Sequence, residues 1–451
     1  MSSNDGSLLL AIVDRVVAQA RPDEQVEAFV SRGGDTEVRV YEGEIEQFVS
    51  AQSEGIGIRI IRDGRTGFAY AGTLDETAIA EVLGEARDNI QFGTIDEWAG
   101  LAEDDGVRVS DQTLWDEELA GFPTDRKITL AKDLERLTLA VDTRVRVDHS
   151  SYADAYGEAA VASTNGIRTW GRENGCYVSV STLADDGDET QSGFGFSVGR
   201  TPTTLDPARA AGEAADRATR LLGATKPLSK RTTVVLDPFV TAQFLGIVAS
   251  TLNGEAVVKG RSLFQDRLGD EVAPSFVNLI DDPTNPLAYT ATDVDGEGLA
   301  ARRNGLIESG VLRMFTHNSY SARRAKTIST GNAIRGGYSG TPGVGAMALY
   351  LEPGSRTQAE LIADIDEGLL VQSVSGIHSG VNAISGDFST GAAGLLIRDG
   401  AVAEPVREFT IASTLQRMLL DIVEVGGDID WLPMRAAGVS LVIRDVTMSG
   451  A

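Results

Sequence analysis

Cysteine, histidine and lysine are all scarce in this chain of 451 residues. The only cysteine, Cys176, excludes an intrachain disulfide framework and favours the reducing cytoplasm as the compartment. No apolar run approaches the roughly 20 residues that a membrane-spanning helix needs. The N-terminus has no basic leader, and Asp14 and Arg15 soon interrupt its apolar part, which favours an amphipathic helix over a signal peptide. We therefore expect a cytoplasmic protein without a membrane segment.

Basic residues are also in short supply. The chain has 40 Lys and Arg, six of them Lys, against 66 Asp and Glu, which gives a net charge of −26 at pH 7. A protein that binds nucleic acid directly needs a basic face for the phosphates, so this balance argues against that class of function. We interpret the acidity as an aid to solubility.

The motifs of several common catalytic sites are missing. None of the three histidines, His149, His317 and His378, has a second His or Cys three or four residues away, so the zinc spacing HExxH is excluded. The sequence also lacks a P-loop and a G-x-G-x-x-G after a strand. From the residues alone, no catalytic set is visible.

Two carboxylate pairs have a spacing that could bind a hard cation. They are Asp281 with Asp282, and Asp293 with Asp295. Turn residues follow both pairs, so we interpret them as solvated loop acids.

The order of the predicted strands and helices indicates an α+β protein of two domains. Hydrophobic residues make up 42% of the chain, which is typical of soluble globular proteins, and the length allows more than one full core. We expect residues 1–223 to form an N-terminal sheet covered by helices, and residues 231–451 to form a β-rich C-terminal domain. The proposed boundary contains Pro227 and separates a helix pattern from a strand pattern.

Local patterns predict several individual elements. Asp63-Gly64 lies between alternating segments and predicts a β-hairpin, and Asp399-Gly400 does the same near the C-terminus. Thr73 and Glu76 have the spacing of a capping box at the start of a helix. Residues 94–126 are acidic and irregular, so we interpret them as a long connection. Asp237 as N-cap, followed by Pro238, predicts a helix running to about residue 253.

The stretch Gly376–Asp428 combines dense glycines with apolar runs. Its first part, residues 385–391, reads SGDFSTG, and a backbone of this kind suits tight turns or close approach to another chain. An ordinary hairpin with glycine turns is the alternative. Helical spacing of apolar residues from Leu415 to Val423 predicts a helix after the second strand.

The same stretch, with other segments, resembles the TldD/PmbA family, also called modulators of DNA gyrase. The segments that carry the resemblance are Gly55–Arg59, Asp63–Arg65, Arg302–Ile307, Gly310–Leu312, Asn318–Arg323, Ser329–Ala333, Ala383–Gly394 and Pro405–Ala412. Together these segments span nearly the whole chain in a consistent order and spacing. The resemblance is weakest between about residues 94 and 220.

The resemblance implies one of two roles. TldD-type subunits are similar to zinc metallopeptidases with an HExxxH helix and a late cysteine ligand, whereas PmbA-type subunits, also called TldE, lack that set and pair with a TldD-type chain. Counted back from Lys259 without a gap, the motif window falls on residues 245–250, near Leu245, Gly246 and Ser250. No His lies there, and residues 431–451 contain no Cys.

The resemblance therefore implies a non-catalytic PmbA/TldE-type subunit without a metal or cofactor of its own. Zinc is expected in the TldD-type partner, and unfolded peptides are expected as substrates of the complex, held as extended strands in an inner chamber. Six residues are expected at the chamber wall or the subunit interface: Ser385, Gly386, Asp387, Phe388, Ser389 and Gly391. Phe388 would pack there, and Asp387 would accept hydrogen bonds from backbone donors.

Two other hypotheses stay open at this point. One is a regulatory protein-binding module that acts without proteolysis, as the gyrase-modulator name implies. The other is a homodimeric hydrolase with an unrecognised site built from some of four residues: Asp281, Asp282, His317 and His378.

Overall fold

A computed structural model describes residues 6–451. Its N-terminal half contains one antiparallel sheet of six strands: β1 (Gln25–Tyr41), β2 (Glu44–Arg62), β3 (Arg65–Ala71), β4 (Val145–Ser163), β5 (Arg168–Asp186) and β6 (Glu189–Gly199). Their order across the sheet is β3-β2-β1-β4-β5-β6. The helices of this half are α1 (Ser7–Val17), α2 (Glu76–Asn89), α3 (Glu117–Ala120), α4 (Thr124–Leu139) and α5 (Pro207–Thr219).

The alternation of side chains along β1 explains how this sheet is covered. Even-numbered residues from Val26 to Val30 pack with α1 and α2, and Val38 and Val40 pack with α4 and α5. Because side chains alternate between the faces of a strand, all four helices lie on one face of the sheet. The odd-numbered residues, such as Glu27 and Phe29, point to the opposite face, where the C-terminal half lies.

The C-terminal half is richer in short strands. Its strands are β7 (Lys230–Leu236), β8 (Leu279–Asp281), β9 (Asn304–Glu308), β10 (Val311–Leu312), β11 (Ala333–Ile334), β12 (Gly343–Val344), β13 (Leu349–Leu351), β14 (Glu367–Ser375), β15 (Asp387–Arg398), β16 (Ala401–Thr414), β17 (Ile422–Val425) and β18 (Leu441–Ser449). Its helices are α6 (Pro238–Thr251), α7 (Gly254–Val258), α8 (Ser319–Ala325), α9 (Gln358–Ala363), α10 (Ile377–Gly380) and α11 (Leu415–Leu420).

Two larger sheets and the two-stranded pair β11-β12 organise these strands. One has the order β16-β15-β14-β7-β18-β17, and β16 also pairs with β18. In that sheet β7 and β14 run parallel, and the other neighbours are antiparallel. The other sheet has the order β10-β9-β8-β13. Helix α6 packs against the larger sheet and shares its main hydrophobic core. The α+β fold class predicted from the sequence is confirmed.

The predicted hairpins and the capped helix are also confirmed. Asp63 and Gly64 join β2 to β3, and Asp399 and Gly400 join β15 to β16, with positive φ at all four residues. Asp237 caps α6, whose first residue is Pro238.

Three local predictions are wrong. Asp75, not Thr73, is the N-cap of α2, because the Thr73 hydroxyl bonds instead to the Asp75 carboxylate at 3.0 Å. The connection 94–126 contains α3 and the start of α4. The helix predicted to reach Val423 ends at Leu420, because the residues that follow pair with β18 as strand β17.

Among the described residues, no helix is long and apolar enough to cross a membrane.

Candidate functional site

Helix α6 carries the window in which the family resemblance places a zinc motif. Leu245 is fully buried in the C-terminal core, whereas Gly246 and Ser250 are exposed. The Ser250 hydroxyl donates to the carbonyl of Ile247 at 2.6 Å, within the same helix. Because leucine and glycine side chains offer no donor atom, the residues of this window do not fit a zinc ion.

The rest of the described chain offers no substitute for that ligand set. Within residues 6–451, no group of three or more His, Cys, Asp or Glu side chains is placed to hold a metal ion. Cys176 is fully buried, and burial raises the pKa of its thiol to about 12, so it stays a neutral thiol at physiological pH.

The glycine-rich segment, residues 385–391, forms a tight turn and the start of β15. The Ser385 hydroxyl donates to the Asp387 carboxylate at 2.6 Å. Gly386 has φ +87°, a backbone conformation that favours glycine. A Cβ at this position would lie 2.1 Å from the end of the flexible Gln416 side chain, which can move aside. Asn382 already accepts the nearby N–H groups of Ile384 and Ser385. The acceptance of backbone donors by Asp387 at a subunit interface stays a prediction.

Side chains alternate along this segment between solvent and core. Ser385, Asp387 and Ser389 are exposed, whereas Phe388 is 5% exposed. The ring of Phe388 meets the ring of Phe244 edge-on, with centroids 6.4 Å apart. Since Phe244 precedes Leu245 on α6, the structure brings together the two regions that the resemblance singled out.

The residues of the hydrolase hypothesis do not form a shared site. Asp281 is fully buried, and its carboxylate accepts two backbone N–H groups and the amide of Asn332. Asp282 accepts from the neighbouring Thr284, and His378 is exposed on α10. The imidazole Nδ1 of His317 lies 3.0 Å from the Ser321 hydroxyl.

The surroundings of these groups indicate structural roles. Burial raises the pKa of Asp281 and lowers the pKa of His317 to about 4. Ser321 is fully buried beside that imidazole, so neither group can reach a substrate from solvent. The four residues share no hydrogen bond in the described part of the chain.

A buried ionic network joins the two halves of the protein. Arg335 donates to Glu27 at 2.6 Å, Arg59 donates to the same carboxylate at 2.8 Å, and Arg59 lies 3.8 Å from Glu297. Burial alone would raise the pKa of Glu27, but Arg335 and Arg59 outweigh burial and hold that pKa below its ordinary value. Arg335 also stacks on the ring of Phe29, with 4.5 Å from guanidinium to centroid.

A cleft of about 560 Å³ lies beside this network, between the odd-numbered face of β1 and the C-terminal half. Its wall includes Glu173 from β5, Asp293 and Asp295 from the C-terminal half, and Arg435. Burial, together with the adjacent Glu297, raises the pKa of Asp295 to about 7. One carboxylate oxygen of Asp293 is buried without a hydrogen-bond partner.

Little in the sequence predicts the network or the cleft. Glu27 and Arg59 stand in strands whose alternation predicts a polar face, but nothing in the sequence says that this face is covered. The interpretation of the two carboxylate pairs as solvated loop acids is wrong for Asp281, which is fully buried, and for Asp295. Asp295 is 5% exposed, and its carboxylate accepts three backbone N–H groups.

Three domain models of one metallopeptidase family match the chain in succession. The PmbA/TldA metallopeptidase domain 1 matches residues 26–90, the central domain matches residues 117–222, and the C-terminal domain matches residues 229–450. The first two models share the N-terminal sheet, which is continuous from β3 to β6.

Individual relatives agree with these matches. The metalloprotease PmbA of Escherichia coli is 26% identical over 406 residues, 90% of this chain and 88% of that protein. A crystal structure from Thermotoga maritima, described as a candidate modulator of a DNA gyrase, is similar with a TM-score of 0.89 and 25% identity, covering 97% of this chain and 99% of that one. The structure of TldE from Thermococcus kodakarensis shares the fold, with a TM-score of 0.88, 23% identity and coverage of 98% and 99%.

Proposed function

This chain belongs to the PmbA/TldD metallopeptidase family, and we propose that it is the non-catalytic, PmbA/TldE-type subunit of a two-subunit zinc metallopeptidase. One observation carries the proposal: in α6, the window for the zinc motif holds Leu245 in the core and Gly246 and Ser250 on the surface. Zinc-dependent hydrolysis needs nitrogen, sulfur or carboxylate ligands and a base for the bound water. None of these three side chains supplies such a group.

The proposed role of the chain is to dock a TldD-type subunit and to complete the chamber in which unfolded peptides are cleaved. The glycine-rich segment is the proposed docking element. Its exposed Ser385, Asp387 and Ser389 offer polar contacts, while Phe388 anchors the segment on Phe244 of α6. A segment whose buried side is fixed in this way loses little conformational freedom on binding.

Reconstitution tests the proposal. The purified chain with zinc is expected to cleave no unfolded peptide, and a TldD-type partner is expected to cleave the same peptide only when this chain is added. Robust cleavage by this chain alone would refute the assignment.

A pair of matched variants tests the docking element. We expect Asp387→Lys to weaken binding of the TldD-type partner at least about tenfold, which corresponds to ~1.4 kcal/mol of binding free energy. Asp266→Lys makes the same charge change at another exposed position and serves as the control. Equal affinities for both variants would exclude the segment from the interface. Recovery of gyrase without any TldD-type partner in a pull-down at moderate salt would favour a regulatory module instead.

A further inference from the structure

A second cavity lies at the N-terminal end of α6, away from the glycine-rich segment. It has a volume of about 290 Å³ and lies between α5 of the N-terminal half and the C-terminal sheet. Strands β7 and β14 are parallel neighbours; β7 ends here at Leu236, whereas β14 passes the cavity at Gln372 and ends at Ser375. The Asp237 N–H, at the start of α6, donates to the Val371 carbonyl of β14 at 3.0 Å. Crevices at the carboxyl ends of parallel strands are common binding sites.

Gln372 provides the decisive observation in this cavity. It lines the cavity and is 3% exposed, yet neither its amide nitrogen nor its amide oxygen has a hydrogen-bond partner. Buried polar groups in folded proteins are nearly always paired, so an orphaned amide with both groups free points to a missing partner.

The backbone around Gln372 accounts for the orientation of its side chain. The pairing of β14 with β15 skips this residue, since Val371 pairs with Gly394 and Ser373 pairs with Ala393. Gln372 is therefore the extra residue of a β-bulge. Bulges re-aim a side chain and are frequent beside functional sites.

The charges around the cavity favour a cationic group in the ligand. Five acidic side chains and three arginines line it. Each arginine is already in an ion pair: Arg209 with Asp430 at 2.5 Å, Arg217 with Glu213 at 3.3 Å, and Arg220 with Asp216 at 2.6 Å. Asp237 shares Arg217 with Glu213, and its own ion pair with Arg217 is the longer of the two, at 3.9 Å against 3.3 Å. The five acidic side chains outnumber the three arginines, so the cavity keeps a net negative charge for a ligand.

We propose that this cavity binds the free amino terminus of a short peptide. In an extended chain, the N–H and C=O of one residue point to the same side, as in a hydrogen-bonded pair of an antiparallel sheet. One glutamine amide can therefore pair with both groups of the second peptide residue. The α-ammonium group pairs with Asp237, and the rings of Phe196 and Phe239, 6.1 Å apart, provide an apolar wall for a side chain.

Calorimetric titration of the full chain with alanyl-phenylalanine amide tests this site without a peptidase partner, so its result is separable from that of the proposed function. We expect binding to the wild type, and at least tenfold weaker binding of the N-acetylated peptide. Gln372→Met removes both amide groups at similar size and is expected to weaken binding at least tenfold. Gln47→Met changes an exposed glutamine of β2 and should leave binding unchanged.

A second variant keeps the test decisive if Gln372→Met does not fold. Asp237→Asn keeps a good N-cap for α6 but removes the charge, so it should abolish the preference for the free amino terminus. No heat of binding to the folded wild type at millimolar peptide would mean that only water satisfies Gln372, and would overturn the proposal. Equal affinity of the wild type and the folded Gln372→Met variant, or of the free and acetylated peptides, would overturn it as well.

Discussion

Replacing Arg335 by methionine should lower the free energy of unfolding and should let the two halves of the protein unfold separately. The Arg335 side chain is 2% exposed and its partner Glu27 is 3% exposed. Arg335 also donates to the carbonyls of Gly296 and Gly340. Breaking a buried ion pair from one side costs about 3–5 kcal/mol because it leaves an uncompensated charge. Since Arg59 still pairs with Glu27, we expect a loss near the lower end, about 3 kcal/mol of unfolding free energy.

Urea unfolding followed by circular dichroism measures this loss. The N-terminal sheet and the C-terminal half should also unfold at separate urea concentrations in the variant. The deficit should shrink in acid: the pKa of Glu27 lies below its ordinary value of 4.5, so its contribution is present above that pH and is lost as pH falls through the lower, folded-state pKa.

Two controls make the test specific. Arg398→Met breaks an ion pair with Glu404 whose side chains are 53% and 60% exposed, and it should cost less than about 1 kcal/mol. Adding Glu27→Gln to Arg335→Met should recover about 1–3 kcal/mol relative to additivity. If Arg335→Met costs no more than Arg398→Met, the reasoning about the network is refuted.

Two further predictions concern stability. Burial lowers the pKa of His317 to about 4 from 6.5, so the unfolded chain binds the proton more tightly and stability should fall as pH drops from 6.5 towards 4. Urea titrations should show a loss of roughly 2–3 kcal/mol of unfolding free energy over this pH range. The loss should be absent in His317→Asn and should remain in His378→Asn, which changes an exposed histidine. At Gly57 a Cβ would lie 2.2 Å from the Tyr338 carbonyl oxygen, so Gly57→Ala should cost roughly 1–3 kcal/mol of unfolding free energy. Gly84→Ala, on an exposed helix position with open space, should instead stabilise the protein; equal effects of the two changes would contradict the close approach.

The sequence predicted those elements whose signals are local. Asp63-Gly64 fixes a hairpin through the positive φ angles that its two residues tolerate, and Asp237-Pro238 starts a helix through a cap and a preset φ. These signals need no knowledge of distant residues. The helix predicted from the apolar spacing after Leu415 is too long, because that spacing fits a helix and a strand equally well at Ile422. The pairing of that residue with Ile443, far along the chain, decided between them.

The site could be predicted only in part for the same reason. Family resemblance led to α6 and to the glycine-rich segment, but nothing in the sequence placed Phe388 against Phe244. The orphaned amide of Gln372 has no sequence signal either, because a β-bulge depends on the register of the neighbouring strand. Burial, register and contact between the two halves are long-range properties, and a single sequence does not display them.

The apolar middle of α6 bears on how the proposed docking element is held in place. A helix that holds zinc must bring polar ligands to the metal, and the metal then contributes to its stability. Here Phe244, Leu245 and Val248 are buried instead, and each such side chain contributes about 1.5–3 kcal/mol by leaving water. Packing alone can therefore hold α6 rigid. Because Phe388 rests on Phe244, that rigidity extends to the glycine-rich segment, which is the property that a docking element for another subunit requires.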